Sequence, residues 1–291
     1  MFHGSMVALV TPMDKTGAVD FEALRQLVEW HIESGTRAVI VSGTTGESGT
    51  LESAEKMQIM KHVVEQAAER IDVIAGTGAV STRHAIALTQ AAMAQGVEAC
   101  LLMTPAYVKP TQEGLYQHFA AIAQAAAIPQ ILYNVPSRTA CDLLPKTIAR
   151  LANISNIVGI KEATGEMARV DEILNLCGDR IDIYSGDDKT ALDLIKHGGK
   201  GVISVTANIA PALMQQMTQA ALAKQENEAR AIDERLQPLH QALFAEANPI
   251  PSKWALAEMG KIQTGIRLPL TPLSDVYHEP LRMLMRQLEI M

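Results

Sequence analysis

The sequence predicts an α/β protein built on a (β/α)8 TIM barrel with C-terminal helices. Short apolar runs alternate with longer amphipathic patterns eight times before about residue 220. Such alternation is typical of parallel strands joined by crossover helices, and eight units close a barrel. The runner-up is a doubly wound open sheet. The first strand-to-helix turn, VTPMDKTGAVD, lacks the GxGxxG pattern expected of the nucleotide-binding form of that fold.

Each predicted strand is a short apolar run bounded by polar turns. The strands span 5–10, 38–43, 72–78, 99–105, 130–136, 156–161, 181–186 and 201–205. The helical patterns after them cover 20–35, 53–70, 81–96, 112–127, 143–152, 166–177, 188–197 and a segment from about 207. We expect Asp20 and Ser53 to be N-caps, because short polar side chains accept hydrogen bonds from the free N–H groups there.

The last part of the chain has a different pattern. Residues 225–291 are helical in character and are broken by Pro249, Pro251, Pro269, Pro272 and Pro280. No low-complexity linker precedes them. We therefore predict two units, a catalytic barrel over 1–224 and a helical domain over 225–291 that packs on it.

Composition excludes several classes of function. The net charge of −7 argues against non-specific binding to nucleic acid or an anionic membrane. There is no apolar run of about 18 residues and no signal-peptide pattern at the N-terminus. The three cysteines are widely spaced without a CxxC pair, and the eight histidines are scattered. We expect no metal site and a reducing, cytoplasmic location.

Polar residues cluster where the predicted strands end. Active sites of these barrels lie at the C-terminal ends of the strands. The segments that fall there are GTTGES (43–48), TPAYVKP (104–110), YNVPSRT (133–139), Lys161 itself and SGDD (185–188). Hydroxyl groups, an arginine and a lysine are thus directed to one end of the barrel.

Strand alternation points Lys161 inward. Side chains two residues apart share a face, so Ile157, Gly159 and Lys161 are expected inside, with Val158 and Ile160 against the helices. Gly159 would leave space beneath the lysine. By the same rule Ile131 and Tyr133 face inward and Leu132 outward, which makes Tyr133 a neighbour of Lys161 on the adjacent strand.

A lysine amine in an apolar barrel mouth has a lowered pKa and reacts with carbonyls to form a Schiff base. A nearby tyrosine hydroxyl can transfer the protons. This is aldolase or lyase chemistry without a metal or organic cofactor. The alternative for Lys161 is a strand-end lysine that extends to solvent.

Other residues have two interpretations each. Arg138 either pairs with Asp142 or binds a substrate carboxylate. GTTGES is a tight turn, a carboxylate-binding nest, or both. Asp187 or Asp188 is expected to cap the helix after them. Cys141 is expected to be a buried, inert thiol.

Four motifs together carry a family resemblance. GTTGES, YNVPSRT, GIKEATG and NPIPSKWAL make the chain resemble the dihydrodipicolinate synthase family, within the pyruvate-dependent class I aldolases that include N-acetylneuraminate lyase. The resemblance covers essentially the whole chain. It implies a cytoplasmic lyase that condenses pyruvate with L-aspartate 4-semialdehyde in the diaminopimelate route of lysine biosynthesis.

The resemblance also implies roles for individual residues. Lys161 would form the Schiff base with pyruvate and Tyr133 would transfer protons. Thr44 and Tyr107 would complete a hydroxyl relay, with Tyr107 reaching the site of a neighbouring subunit. The implied substrate-binding residues are Thr45 for the pyruvate carboxylate, Arg138 for the semialdehyde carboxylate, and the backbone of Gly186 and Ile203.

Two alternatives stay open beside this activity. Another pyruvate aldolase, such as an N-acetylneuraminate or sugar-acid lyase, would resemble the chain around the lysine but would not use the SRT arginine in this way. A catalytically silent barrel is a third interpretation, and the intact lysine, tyrosine and threonine oppose it.

The resemblance implies a homo-oligomer, either a dimer or a tetramer made of two dimers. Met167, Ala168 and His197 lie where the weaker interface of the tetramer would form. Many bacterial members are inhibited by lysine at a site near the relay. This chain departs from that site at Ser53, Lys56, Val80, His84 and Ala106, where the carboxylate partner for the lysine amine is lost. We expect it to be weakly sensitive or insensitive to lysine.

Overall fold

A computed structural model describes residues 2–291 of the chain. Its centre is a closed barrel of eight parallel strands in sequential order, with β8 paired to β1. The strands are β1 Gly4–Ala8, β2 Ala38–Val41, β3 Asp72–Gly76, β4 Ala99–Met103, β5 Gln130–Asn134, β6 Ile157–Glu162, β7 Asp182–Ser185 and β8 Gly201–Ser204. The predicted (β/α)8 barrel with C-terminal helices is confirmed.

Twelve α-helices accompany the barrel within the described residues. They are α1 Phe21–Glu33, α2 Ser53–Ala67, α3 Thr82–Ala94, α4 Gln112–Ala125, α5 Pro136–Thr139, α6 Pro145–Leu151, α7 Met167–Cys177, α8 Ala191–Lys196, α9 Pro211–Leu222, α10 Glu226–Ala242, α11 Ile250–Glu258 and α12 His278–Gln287. No helix in residues 2–291 is both long enough and apolar enough to cross a membrane.

Strand alternation divides the apolar side chains into an inner core and a shell between strands and helices. The inner core includes Ile131, Tyr133 and Tyr184. Leu132 and Ile160 belong instead to a shell cluster with the surrounding helices. These placements match the alternation predicted for β5 and for the end of β6.

The predicted alternation is wrong at the start of β6. Ile157 packs in the outer shell, whereas Val158 packs against the inner core. The cause is a β-bulge, because Gln130 pairs with Ile157 but the next residue of β5, Ile131, pairs with Gly159. A bulge inserts one extra residue and reverses the faces before it. The space beside Gly159 is occupied by the Tyr184 ring, since a Cβ there would lie 2.9 Å from that ring.

Of the two predicted N-caps, one is confirmed and one is wrong. Asp20 caps α1 as predicted, with its carboxylate accepting the Ala23 N–H at 3.0 Å. The prediction of Ser53 as the N-cap of α2 is wrong, because Glu52 occupies that position and Ser53 is the first helical residue. The Glu55 carboxylate reaches back to accept the Glu52 N–H at 2.8 Å. This reciprocal arrangement is the capping-box pattern with an acidic first residue.

The C-terminal helices share one apolar core with part of the barrel. Leu236, Leu239 and Leu256 belong to the same cluster as Val7 and Val39 of the first two strands. The turn between α9 and α10 contains the position of the predicted domain boundary, 224/225. Because these helices pack directly on the barrel, they can contribute side chains to its open end.

Candidate active site

A cavity of about 230 Å³ opens at the C-terminal ends of the strands. It brings together six of the eight predicted site residues, which are Thr44, Thr45, Tyr133, Arg138, Lys161 and Gly186. The cavity is small, enclosed by strands and loops, and suited in size to a molecule with few heavy atoms.

Lys161 lies in this cavity on β6. It pairs in register with Tyr133, and its Nζ lies 4.3 Å from the centroid of the Tyr133 ring. The residue is only 5% exposed. Gly186 lies against the lysine stem, where a Cβ would be 3.0 Å from Lys161 Cε and 2.6 Å from the Ala163 Cβ. A glycine is therefore needed at 186 for the lysine to keep this path.

The electrostatic surroundings favour a neutral Lys161 amine. Among the described residues, no carboxylate lies within ion-pair distance of it. Burial lowers the pKa of Lys161 to about 8, with the charge of Asp188 opposing this shift and that of Arg138 adding to it. A substantial fraction of neutral amine is therefore available near pH 8, as carbonyl addition requires.

Asp187 occupies the N-cap position of the short 3-10 helix before α8, without a side-chain cap hydrogen bond. Asp188 has a different role from the predicted helix cap. Its carboxylate accepts the N–H groups of Val205 and Thr206, each at 2.9 Å, and so joins the ends of β7 and β8. Thr190 takes the N-cap position of α8, and its hydroxyl donates to the Asp187 carboxylate at 2.9 Å. The buried Asp188 charge is thus held close to the barrel mouth.

Tyr133 is a buried phenol whose ring lies beside the Lys161 amine. Burial raises the pKa of its hydroxyl to about 12, although the charge of Arg138 and a hydrogen bond with the Thr44 side chain oppose the shift. The phenol is therefore protonated at neutral pH. Thr44 lines the same cavity as Tyr133 and Lys161.

The GTTGES loop carries Thr44 and Thr45 on a tightly turned backbone. Ser42 and Glu47 have positive φ angles of 53° and 56°, a region that non-glycine residues rarely adopt. The Thr45 hydroxyl accepts a hydrogen bond from Asn248 Nδ2 at 2.9 Å. A residue next to α11 thus fixes the orientation of a hydroxyl in the cavity.

Arg138 lies at the cavity rim on α5. Its guanidinium donates to the Asn248 carbonyl at 3.3 Å. Asp142, the alternative partner considered for it, is bound to Arg169 at 2.7 Å. Arg138 lines the cavity and has no carboxylate partner among the described residues, so its guanidinium is available to a substrate carboxylate.

Two predicted residues lie outside the cavity. Tyr107 is 89% exposed on the loop after β4, with a positive φ of 73°. Ile203 is buried in the inner core, and Val205 is the residue of that segment that lines the cavity. Asn248 is not among the predicted site residues, because no pattern in NPIPSKWAL indicates which residue contacts Thr45, about two hundred positions earlier.

Within residues 2–291, no group of three or more His, Cys, Asp or Glu side chains is arranged to hold a metal ion. The three cysteines are buried as free thiols, including Cys141. The reactive groups described above are therefore an amine, a phenol and alcohols.

Comparisons with known proteins agree with this site. The model of the "Dihydrodipicolinate synthetase family" matches residues 1–288. A protein of Nitrosococcus oceani named 4-hydroxy-tetrahydrodipicolinate synthase is 61% identical over the full length of both chains. One of the same name from Pseudomonas aeruginosa is 58% identical, covering 99% of this chain and 98% of the relative.

A solved structure has nearly the same fold as this chain. The chloride-inhibited dihydrodipicolinate synthase of Acinetobacter baumannii, complexed with pyruvate, superposes with a TM-score of 0.99 at 53% identity over the full length of both chains. On this evidence the chain belongs to the dihydrodipicolinate synthetase family.

Proposed function

We propose that this chain is a 4-hydroxy-tetrahydrodipicolinate synthase, a lyase that joins pyruvate to L-aspartate 4-semialdehyde. The observation that carries the proposal is the buried Lys161 amine beside Tyr133. The names of relatives near 60% identity support the same activity.

The reaction follows from amine chemistry. Neutral Lys161 adds to the pyruvate carbonyl, and loss of water gives a protonated imine. Removal of a proton from the methyl carbon gives an enamine, whose carbon adds to the aldehyde carbon of the semialdehyde. The aldehyde oxygen takes up a proton and becomes a hydroxyl group. The amine of the semialdehyde then attacks the imine carbon, closes the ring and releases Lys161.

The proton transfers are assigned to Tyr133 and its partner Thr44. Thr45 is assigned to the pyruvate carboxylate, and Gly186 leaves room for the lysine-bound intermediate. We assign Tyr107, which is solvent-exposed in one chain, to the relay of a neighbouring copy, so the active form is a homo-oligomer. Ile203 is assigned only through its backbone.

Reduction with borohydride tests the proposal. With pyruvate present, the reagent should fix one pyruvate-derived adduct on the peptide containing Lys161, and aspartate semialdehyde should be turned over. Turnover of N-acetylneuraminate without turnover of the semialdehyde would favour the sugar-acid lyase alternative. Absence of both the adduct and turnover would refute the enzyme assignment.

Adduct formation should depend on pH. The rate constant for trapping pyruvate should rise about tenfold per pH unit below the Lys161 pKa and level off above about pH 8, because only the neutral amine adds. Asp188→Asn removes a charge that raises this pKa, so its profile should shift to lower pH. Arg138→Gln should shift the profile to higher pH. Shifts in the same direction for both variants would contradict this electrostatic assignment.

Arg138 should determine affinity for the second substrate. Replacing it with Gln removes a charge-assisted, two-pronged hydrogen bond, so KM for the semialdehyde should rise roughly 10–100-fold. Pyruvate trapping above pH 9 should stay within a few-fold of the wild type. Arg138→Lys is the matched control that keeps the charge and should recover only part of the affinity. An unchanged semialdehyde KM in Arg138→Gln would assign the carboxylate to another group.

Inhibition by lysine should be weak. Val80 is half-exposed, His84 is exposed and Lys56 is partly buried, and these side chains offer no carboxylate to a lysine ammonium group. Steady-state assays should therefore show little inhibition at sub-millimolar lysine. Half-inhibition in that range would contradict the expectation.

A further inference from the structure

A second buried lysine lies close to the active site and forms an ion pair with a buried glutamate. Lys253 of α11 binds Glu47 of the GTTGES loop, with 2.5 Å between Nζ and Oε1. Their side chains are 4% and 0% exposed. The other carboxylate oxygen of Glu47 accepts the Arg267 N–H at 3.3 Å. The catalytic scheme above uses neither side chain.

Burial of an ion pair is a weak argument for stability, because desolvation offsets the attraction. Its geometry indicates another purpose. Glu47 adopts a left-handed backbone conformation that would suit glycine. Its N–H donates to the Thr44 carbonyl at 3.1 Å, which closes the turn that carries both cavity threonines. The side chain at 47 thus holds a strained turn in place from outside the cavity.

The same short segment holds the turn at a second point. Asn248 binds the Thr45 hydroxyl, and Lys253, five residues later, binds Glu47. Thr45 and Glu47 are two residues apart, so one segment of the C-terminal region restrains both sides of the turn. The Thr11 hydroxyl adds a bond to the Gly46 carbonyl at 2.7 Å from the barrel side.

We propose that the Glu47–Lys253 pair is a positioning device through which the C-terminal helices hold Thr45 ready for the pyruvate carboxylate. This inference rests on the proposed function. Glu47 and Lys253 are positioning residues, since they act through the turn and do not line the cavity. Loss of the pair should weaken pyruvate binding and leave the chemistry of bound pyruvate largely intact.

The test is a set of variants at the two positions. Removing one charge leaves the other buried and unpaired, so the main variant is the double change Glu47→Gln with Lys253→Met. Its KM for pyruvate should rise roughly tenfold or more, while kcat and the trapping rate at saturating pyruvate stay within about threefold. Lys253→Arg keeps the pair and should restore KM to near the wild-type value. Glu47→Asp keeps the charge but shortens the reach, so it should raise KM on its own.

A matched control separates positioning from stability. Arg282 and Glu258 form an ion pair between α12 and α11, away from the cavity. Arg282→Gln with Glu258→Gln should leave the pyruvate KM unchanged. A wild-type pyruvate KM in the Glu47 and Lys253 double variant, or in Glu47→Asp, would overturn the inference.

Hydrogen exchange makes the outcome independent of the reaction. Without pyruvate, the amide of Glu47 should exchange faster in the double variant than in the wild type, and the control pair should leave it unchanged. If wild-type enzyme formed no pyruvate adduct, the proposed function would fail while this exchange result still judged the positioning role. Unchanged exchange would overturn that role even if the pyruvate chemistry were confirmed.

Discussion

Replacing Lys161 with Met should abolish the pyruvate adduct and reduce turnover by roughly 10⁴–10⁶-fold, the scale of losing a covalent nucleophile. Methionine fills similar space and keeps the contact with Gly186, so the loss should be chemical. Borohydride trapping followed by mass analysis of the Lys161 peptide, together with steady-state rates, measures it.

The same variant should be more stable than the wild type. The Lys161 pKa falls to about 8 on folding from its ordinary value near 10.5, so the folded state binds fewer protons between these pH values. At pH 7, folding therefore works against the charged amine by on the order of 3 kcal/mol. Removing the amine should raise Tm by ~5 °C, and the stability difference should shrink as pH rises from 8 to 10.5.

Two further variants provide the controls. Lys161→Arg keeps a charge but supplies no neutral nucleophile, so it should be inactive and without the gain in stability. Lys196→Met removes a lysine of α8 remote from the cavity and should retain activity. A full-strength pyruvate adduct on Lys161→Met would place the Schiff base on another lysine and refute the assignment.

Tyr133→Phe should reduce kcat by about 10²–10⁴-fold, the usual contribution of a positioned proton-transfer group. Phenylalanine keeps the ring against the Lys161 amine, so the variant removes only the hydroxyl and its bond with Thr44. Pyruvate should still bind, and adduct formation should become slow. Single-turnover trapping and kcat measured in H₂O and D₂O follow the missing proton transfer.

Tyr184 is the matched control for this prediction. It is a second buried tyrosine of the inner core, and its hydroxyl donates to Asp182 at 3.0 Å near the start of β7. Tyr184→Phe should affect stability and leave kcat near the wild-type value. If Tyr133→Phe retained wild-type kcat, proton transfer would have to be assigned to another group.

The sequence was sufficient for features that depend on local pattern. The eight strands follow from apolar runs, and the inward direction of Tyr133 and Lys161 follows from alternation near the strand ends. Counting fails across an irregularity: the bulge at Val158 reverses the two residues before Gly159, and nothing in NIVGIK marks it. The predicted N-cap of α2 was also wrong, because Glu52 occupies a position that short polar residues usually take.

Features that depend on long-range contacts could not be predicted. Asn248 meets Thr45 across 203 positions, and Lys253 meets Glu47 across 206. The segment NPIPSK belongs to a family motif, but the motif does not indicate which residues the segment contacts. The sequence likewise could not show whether Arg138 pairs with Asp142. In the structure, Asp142 pairs with Arg169 of α7 instead.

The contacts of Asn248 with Thr45 and of Lys253 with Glu47 have a consequence for synthesis of the chain. A chain made from its N-terminus has all eight strands and both Thr44 and Lys161 well before residue 248 emerges. The nascent barrel would then carry its reactive amine while the turn at Glu47 still lacked its anchor. The turn could therefore reach its final geometry only near the end of translation, once residues 248 and 253 are present.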